Sequence, residues 1–343
     1  GSEWLKGTGE KANIVISSRI RLARNLKDFS FPQWADKEEQ KEIFSLLEFT
    51  LFQISYLKKG IFVGIDDLSA INKQFLLERH LISREQTKGK GSKAVLVSEK
   101  EIISIMINEE DHLRLQVFQS GLSLKEVWKL IDNLDNQLEQ KLDYAFSPQW
   151  GYLTACPTNV GTGMRASLML HLPALVMSKQ IGNILQTLSK LGIVVRGFYG
   201  EGTEASGNFF QLSNQITLGR REEEIIDNLE RVARQIVSYE EKRREFLLKQ
   251  NREILYNQVW RAYGLLKNSY FINSEETMNL LSMVRLGVDL GILKNAKREK
   301  INELFLLTQP AHLQKIEGRK LNAYQRDVKR AELIRSRLKE SGK

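Results

Sequence analysis

Five arginines, two carboxylate turns and one cysteine are the residues of this chain whose types and spacing could do chemistry. Ser17-Ser18-Arg19-Ile20-Arg21 sets two guanidinium groups two residues apart, and on a strand both would point to one face. Arg114 follows the acidic knot Glu109-Glu110-Asp111. Residues 151–200 contain no Asp or Glu but hold Arg165, Lys179, Lys190 and Arg196, and acids return abruptly at Glu201 and Glu204. Several guanidinium forks can hold a polyphosphate without a glycine loop, because each is planar and permanently charged. Asn108-Glu109-Glu110-Asp111 ends one apolar strand-like run. Gly200-Glu201-Gly202-Thr203-Glu204 ends another, with glycines that allow close backbone approach. Cys156 lies in Thr154-Ala155-Cys156-Pro157-Thr158-Asn159, where Pro157 suits the first turn of a helix and would place the thiol at its N-terminus. Taken singly, each has a plainer reading: a surface salt bridge, an acidic turn, a small buried hydrophobe.

The common phosphate-binding patterns are absent. There is no G-x-x-x-x-G-K-S/T, no G-x-G-x-x-G between a strand and a helix, and no protein-kinase signature set. One cysteine and four scattered histidines make no metal site of zinc spacing.

The elements that must position these residues are legible in part. Residues 36–58 alternate charged and apolar positions at helical spacing and stop before Gly60. Lys93–Val97 and Ile102–Ile107 read as a β-hairpin across Ser98-Glu99-Lys100-Glu101. Leu122–Leu142 returns to a helical period, and Ser167–Leu191 is expected to be helix-like. Gly192–Phe198 reads as a strand, and Phe209–Leu212 with Gln215–Leu218 as a second hairpin. From Glu222 onward the pattern is helical, with Ile225, Leu229, Val232 and Ile236 forming one apolar stripe. The expected class is α+β, with a largely antiparallel sheet flanked by helices and a small all-α C-terminal domain.

The 343 residues carry a net charge of +9, with 42% hydrophobic and 27% charged residues, an ordinary globular balance. The charge is uneven: residues 1–240 net −1 and residues 241–343 net +10. That asymmetry excludes a uniformly basic nucleic-acid coat. A single cysteine excludes an internal disulfide. The most apolar run, near Leu168 to Met177, is interrupted by His171 and Pro173, too short for a membrane span. Gly1-Ser2 reads as a cloning scar, and the expected setting is a reducing cytoplasm.

Together the motifs resemble the guanidino (phosphagen) kinase catalytic domain. The matching pieces are S-S-R-I-R at 17–21, N-E-E-D-H-L-R at 108–114, C-P-T-N-V-G-T-G-M-R-A-S at 156–167 and R-G-F-Y-G-E-G-T-E at 196–204. Within that superfamily the chain is most similar to the bacterial protein-arginine kinase branch, the McsB type. Sixteen residues precede Ser17, where creatine and arginine kinases carry a helical domain. About a hundred follow the catalytic part, and Arg326-Asp327-Val328-Lys329-Arg330-Ala331 matches that branch's R-D-x-x-R-A motif. The expected division is a tail at 1–13, a catalytic domain at 14–244 and a helical regulatory and dimerisation domain at 245–343.

The resemblance implies roles, residue by residue. Arg19, Arg21, Arg114, Arg165 and Arg196 would hold the ATP phosphates. His80 would contact the nucleotide, as would the stretches Ser17, Ser18, Arg19, Ile20, Arg21 and Arg165, Ala166, Ser167, Leu168, Met169. The stretch Arg196, Gly197, Phe198, Tyr199, Gly200, Glu201 would complete that site. Glu110 and Glu201 would grip and deprotonate the substrate guanidinium, Glu201 as principal base, with Cys156 beside them. Met169 stands where small-molecule guanidino kinases usually have a histidine, a departure the protein-arginine branch shares. Arg326, Asp327 and Arg330 would form an allosteric pocket for phosphoarginine. The implied cofactors are ATP and Mg²⁺. The implied partners are proteins with exposed arginines, an activator protein, a Clp ATPase that degrades the marked proteins under stress, and a second copy of the chain. A kinase for a small guanidino compound is the near rival. A non-catalytic adaptor for RNA or a regulator is the distant one, and it predicts an eroded site, whereas Glu110, Cys156, Glu201 and the five arginines are all present. The basic tail also lacks the aromatic and glycine interleaving of RNA modules.

Overall fold

The structure, a computed structural model, describes residues 2–88, 91–197 and 206–339. Ten strands and twelve α-helices follow in chain order among these residues. β1 (Val15–Arg24) leads to α1 (Lys37–Phe52), β2 (Ile61–Gly64), α2 (Ala70–Glu78) and α3 (Arg84–Thr87). β3 (Ala94–Val97), β4 (Ile103–Ile107) and β5 (Leu113–Ser120) precede α4 (Leu124–Glu139) and a small hairpin of β6 (Phe146–Ser147) and β7 (Gly151–Tyr152). Then come β8 (Met164–His171), α5 (Pro173–Met177), α6 (Ile181–Lys190), β9 (Ile193–Gly197) and β10 (Phe209–Asn214). The rest is helical: α7 (Glu222–Gln250), α8 (Arg252–Asn268), α9 (Ser274–Asp289), α10 (Arg298–Leu307), α11 (Pro310–Glu317) and α12 (Ala323–Lys339). No helix among the described residues is long and apolar enough to cross a membrane.

One sheet of eight strands runs β2-β3-β4-β5-β1-β8-β10-β9, every pair antiparallel. The expected hairpin at 93–107 is β3 and β4, joined by a 3₁₀ turn at Glu99–Glu101. The helix expected at 36–58 is α1, whose start is fixed by Asp36 accepting from Glu39 N–H. Two expectations are corrected. Ser167–Leu191 is not one helix: its first part completes β8, and helices begin only at Pro173 and Ile181. β8 lies between β1 and β10 with both faces covered, so its apolar run hides the two-residue period. Gln215–Leu218 forms no strand. β10 pairs with β8 and β9 instead, and the Asn214 side chain ends it by bonding Ile216 O and Met164 O.

The two sheet faces differ in chemistry. Ile20, Leu22, Leu115, Val117, Ala166, Leu168 and Leu212 point to a core covered by α1, α4 and α7. On the opposite face one end is closed by a second core. There Phe118, Met169 and Phe209 pack with Trp4, Leu5 and the C-terminal helices. α7 runs unbroken through the charge boundary near residue 240, so the helical part continues from the sheet part without a linker.

Candidate active site

Strand pairing assembles the arginines. Arg21 is opposite Arg165 across β1 and β8 and opposite Gln116 across β1 and β5. Arg114 is two residues from Gln116, and Arg19 is opposite Ser167. Met169 is opposite Gln211, which is opposite Arg196. Paired residues share a face, so Arg19, Arg21, Arg114, Arg165 and Arg196 project from one side of the sheet, from β1, β5, β8 and β9. Ser17, Ser167 and Met169 share that side. Ser18, Ile20, Ala166 and Leu168 do not. Ile20, Ala166 and Leu168 are in the core, and Ser18 donates to Gly121 O and accepts from Ser123 N–H, tying β1 to the start of α4. Of the loop after β9, Phe198, Tyr199, Gly200 and Glu201 lie outside the described residues, and Gly197 is the last residue of β9.

The cations are poorly compensated. Arg19 Nε donates to Ser167 Oγ at 3.2 Å and Nη2 to Gln211 Oε1 at 3.1 Å, both neutral acceptors. The Nε of Arg21 is buried with no acceptor among the described residues. Burial, then repulsion from Arg114 and Arg165, pushes the Arg19 guanidinium down to about 10. Burial, then Arg19, Arg114 and Arg165, pushes Arg21 well below its ordinary value. Arg165 is lowered by burial, Arg196 and Arg114. A guanidinium stays protonated at neutral pH regardless. These shifts therefore express the cost of crowding cations on a half-buried face, which a polyanion would relieve. The residues present fit a polyphosphate. Among the described residues Arg114 is the one of the five with a carboxylate partner, its Nη1 lying 2.8 Å from both oxygens of Glu109.

Beside the arginine-bearing face is a narrow slot lined by Trp4, Ser17, Arg19, His80, Phe118, Ser167, Met169 and Gln211. His80, expected at the nucleotide, lines this slot edge-on to Trp4, with ring centroids 5.5 Å apart. Burial, then Arg19 and His312, pushes His80 down to about 3, so its ring is neutral at physiological pH. Trp4, Phe118 and Gln211 are missing from the sequence-based set. Gln211 alternates with core residues in its strand, a usable signal. Trp4 has none, being a short helical turn in a segment of little periodicity.

The anionic end is the turn between β4 and β5. Asp111 accepts from Asn25 Nδ2 at 2.7 Å and from Ala155 N–H at 2.8 Å, which joins the turn to the segment bearing Cys156. His112 Nδ1 accepts from Leu26 N–H at 2.9 Å, and Nε2–H donates to Ser30 O at 2.8 Å, a neutral tautomer locked on both sides. The Glu109 carboxylate is spent on Arg114 and Ser83. Burial would raise it, but Arg114 and the Ser83 hydroxyl outweigh that and lower it. Glu110 is raised by burial, Asp111 and Glu109, which makes it a stronger proton acceptor than an ordinary glutamate. Pro157 does open a helix, a 3₁₀ turn of three residues with Cys156 at its N-cap and Sγ 3.0 Å from Thr158 Oγ1. Arg165 is close enough to Cys156 and Glu110 for both to oppose its downward shift. The cationic and anionic ends therefore meet at Arg165.

The C-terminal trio lies elsewhere, on α12. Arg330 is 1% exposed. Its Nε donates to Thr308 O at 2.8 Å, and Nη1 to Ile272 O at 2.9 Å and Asp327 Oδ1 at 2.5 Å. Arg326 Nη1 donates to Leu321 O at 2.8 Å. Among the described residues no cluster of three or more His, Cys, Asp or Glu could hold a metal ion.

Three buried histidines give the fold an acid sensitivity. His80, His112 and His171 are all lowered, chiefly by burial. The unfolded chain protonates them near pH 6.5 while the folded chain does not, so stability present above that pH is lost as pH falls below it. Each contributes roughly 1.4 kcal/mol per pH unit until its folded value is reached. Thermal melts at pH 7.0 and 5.5 should show a clearly lower midpoint at 5.5, and equal midpoints would reject neutral burial of the three rings.

Residues 44–243 match the model of the ATP:guanido phosphotransferase C-terminal catalytic domain, and residues 252–343 match that of the protein-arginine kinase McsB C-terminal domain. The protein-arginine kinase of Symbiobacterium thermophilum is 51% identical over 98% of this chain and 96% of its own length. That of Desulforamulus reducens is 50% identical over 98% and 95%. Among solved structures, lombricine kinase superposes with a TM-score of 0.60 at 24% identity, covering 69% of this chain and 68% of that one. At that identity the likeness is one of fold, a sheet and helices in the phosphagen-kinase arrangement.

Proposed function

The chain belongs to the protein-arginine kinase family of the ATP:guanido phosphotransferases, and from that premise we propose that it transfers the γ-phosphoryl group of ATP to arginine side chains of proteins. The observation that carries this reading is the two-ended site: uncompensated guanidiniums on one sheet face, abutting Glu110 and Cys156 at Arg165. An arginine substrate is a poor nucleophile while protonated. A carboxylate must hold its planar fork, aim one nitrogen in line and take a proton as the N–P bond forms. Glu110 suits that part, since burial and its acidic neighbours raise its proton affinity. Glu201, from the matching motif, is assigned as principal base, and Cys156 as a second negative contact to the guanidinium. Arg19, Arg21 and Arg165 stabilise charge on the transferring phosphoryl, with Arg114 and Arg196 at the margins. Bound with ATP, Mg²⁺ would supply further positive charge to the phosphates that Arg19, Arg21 and Arg165 would hold.

The test is direct. Incubate the protein with Mg²⁺-ATP and either an unfolded arginine-containing protein or free arginine, and follow acid-labile N–P phosphate by ³¹P NMR. Signal with the protein is expected. Signal only with free arginine would transfer the assignment to a small guanidino substrate.

The wider role we assign with it is the marking of proteins with phosphoarginine for a Clp protease in the bacterial cytoplasm under stress, with an activator protein and a homodimer. Arg326, Asp327 and Arg330 are assigned to a phosphoarginine pocket. The partly exposed Asp327 would receive the guanidinium, and Arg326 with Arg330 the phosphate. Asp327→Ala should weaken binding of a phosphoarginine peptide at least about tenfold, the loss of one charged contact. Unchanged affinity in a folded variant would remove the pocket from this assignment.

A further inference from the structure

Trp34 is 79% exposed, the highest value among the exposed large hydrophobic residues of the described chain. It is stacked on Phe31, with ring centroids 5.9 Å apart and planes 15° from parallel. The turn that carries the pair is held firmly. Gln40 Nε2 donates to Pro32 O at 3.2 Å and Ala35 O at 3.1 Å, and Trp34 N–H donates to Phe31 O at 2.8 Å. It is also fixed to the carboxylate turn. Gln33 Nε2 donates to Glu110 O at 2.8 Å, His112 bonds Ser30 O and Leu26 N–H, and Asn25 bonds Asp111. An exposed indole on a braced turn, one residue from a side chain hydrogen-bonded to Glu110, contributes nothing to the core.

We propose that the Phe31–Trp34 pair is the docking surface for the polypeptide flanking the target arginine, and that it favours substrates with an apolar or aromatic side chain beside that arginine. This rests on the reading of Glu110 as a guanidinium-binding carboxylate. A ring already fixed in place loses little conformational freedom on binding, so its apolar area converts efficiently into affinity. The occupant is an extended polypeptide because the rings adjoin the rim of the guanidinium site. A substrate anchored by its guanidinium at Glu110 reaches them only with chain that continues past the arginine. A small guanidino compound ends at the carboxylate. Extended segments of this kind are accessible in unfolded or loosely folded proteins.

The experiment uses the full chain, Mg²⁺-ATP and two arginine peptides, one with Phe and Leu flanking the arginine and one with Gly and Ser. Wild type, Trp34→Ala and Trp34→Phe are compared by KM and kcat. Trp34→Ala should raise KM for the apolar-flanked peptide about tenfold, with kcat and KM for ATP unchanged, and Trp34→Phe should restore most of it. The Gly/Ser peptide should respond to neither substitution. Unchanged KM for the apolar-flanked peptide in Trp34→Ala overturns the proposal. So does a change of oligomeric state by light scattering, which would make the pair a contact between copies of the chain. If wild type binds Mg²⁺-ATP but phosphorylates neither peptide, the protein-kinase reading falls and takes the docking surface with it.

Discussion

Arg21→Met will raise the melting temperature of the ligand-free protein while lowering phosphoryl transfer by on the order of 10³-fold or more. Arg21 is half-buried, its enclosed Nε has no acceptor among the described residues, and Arg19, Arg114 and Arg165 all repel it. Replacing a half-buried guanidinium that has no carboxylate partner among the described residues by an apolar side chain of similar length should stabilise by about 1 kcal/mol, the low end of the buried-ion range once solvent screening is counted, which is a midpoint shift of a few degrees at most. The same crowding is what makes the face complementary to a triphosphate, so the variant loses the charge that stabilises the transferring phosphoryl. A second readout separates function from fold. Saturating Mg²⁺-ATP should stabilise wild type by about 2.7 kcal/mol at a hundredfold excess over Kd, and this gain should shrink sharply in Arg21→Met. A lower melting temperature with turnover intact would show Arg21 to be a structural residue.

That prediction rests on a face whose logic is partly readable in the amino-acid sequence. Arg19 and Arg21 are two apart, and a strand through them needs only the apolar Ile20 and Leu22 between and after. The shared face with Arg165 and Arg196 is different in kind. It depends on which strands neighbour one another, and β1 touches β8 across more than a hundred residues of sequence. The run through Met169 gives no period-two signal because Ala166, Leu168 and Leu170 are buried on one side and Met169 on the other. Helix and strand then look alike, and the flanking helices α5 and α6 tip the reading toward helix. Trp4 is illegible for a related reason. Its 2% exposure comes entirely from distant residues, Phe118, Met169 and the C-terminal helices. The motifs single out residue types suited to phosphoryl transfer, because chemistry constrains residue type. They do not reveal that a basic helical segment closes one end of the site, because packing constrains only volume and polarity.

That closure leads to the second large effect: Asp289→Asn will destabilise the whole chain, by about 3–5 kcal/mol. Asp289 is fully buried on α9. Its Oδ2 accepts from Arg285 Nη1 at 3.0 Å and its Oδ1 from Arg298 Nε at 2.6 Å, with Arg244 Nη1 at 3.7 Å. Arg285, also 0% exposed, donates to Asn302, to Ala12 O and Asn13 O, and to His171 Nδ1. His171 ends β8, the strand that carries Arg165 and Ser167, and its Nε2–H donates to Ser282 Oγ at 2.8 Å. Asn302 holds Leu5 O and Arg298 holds Gly7 O, at and just beyond the end of the 3₁₀ turn Glu3–Leu5 that places Trp4 in the slot. One carboxylate thus neutralises a cationic cluster shared by β8, α7, α9, α10 and the N-terminal segment. The amide of Asn has similar volume but leaves these guanidiniums without their anion in a dry interior, and the remaining acceptors are neutral carbonyls and Glu240, already bound to Arg244 and the start of α5. Differential scanning calorimetry should show a fall of several degrees at least, and KM for ATP should rise because β8 and Trp4 lose their anchor. A midpoint within about a degree of wild type would mean that water reaches this cluster and screens it, and the coupling between the helical segment and the nucleotide face would have to run through apolar packing alone.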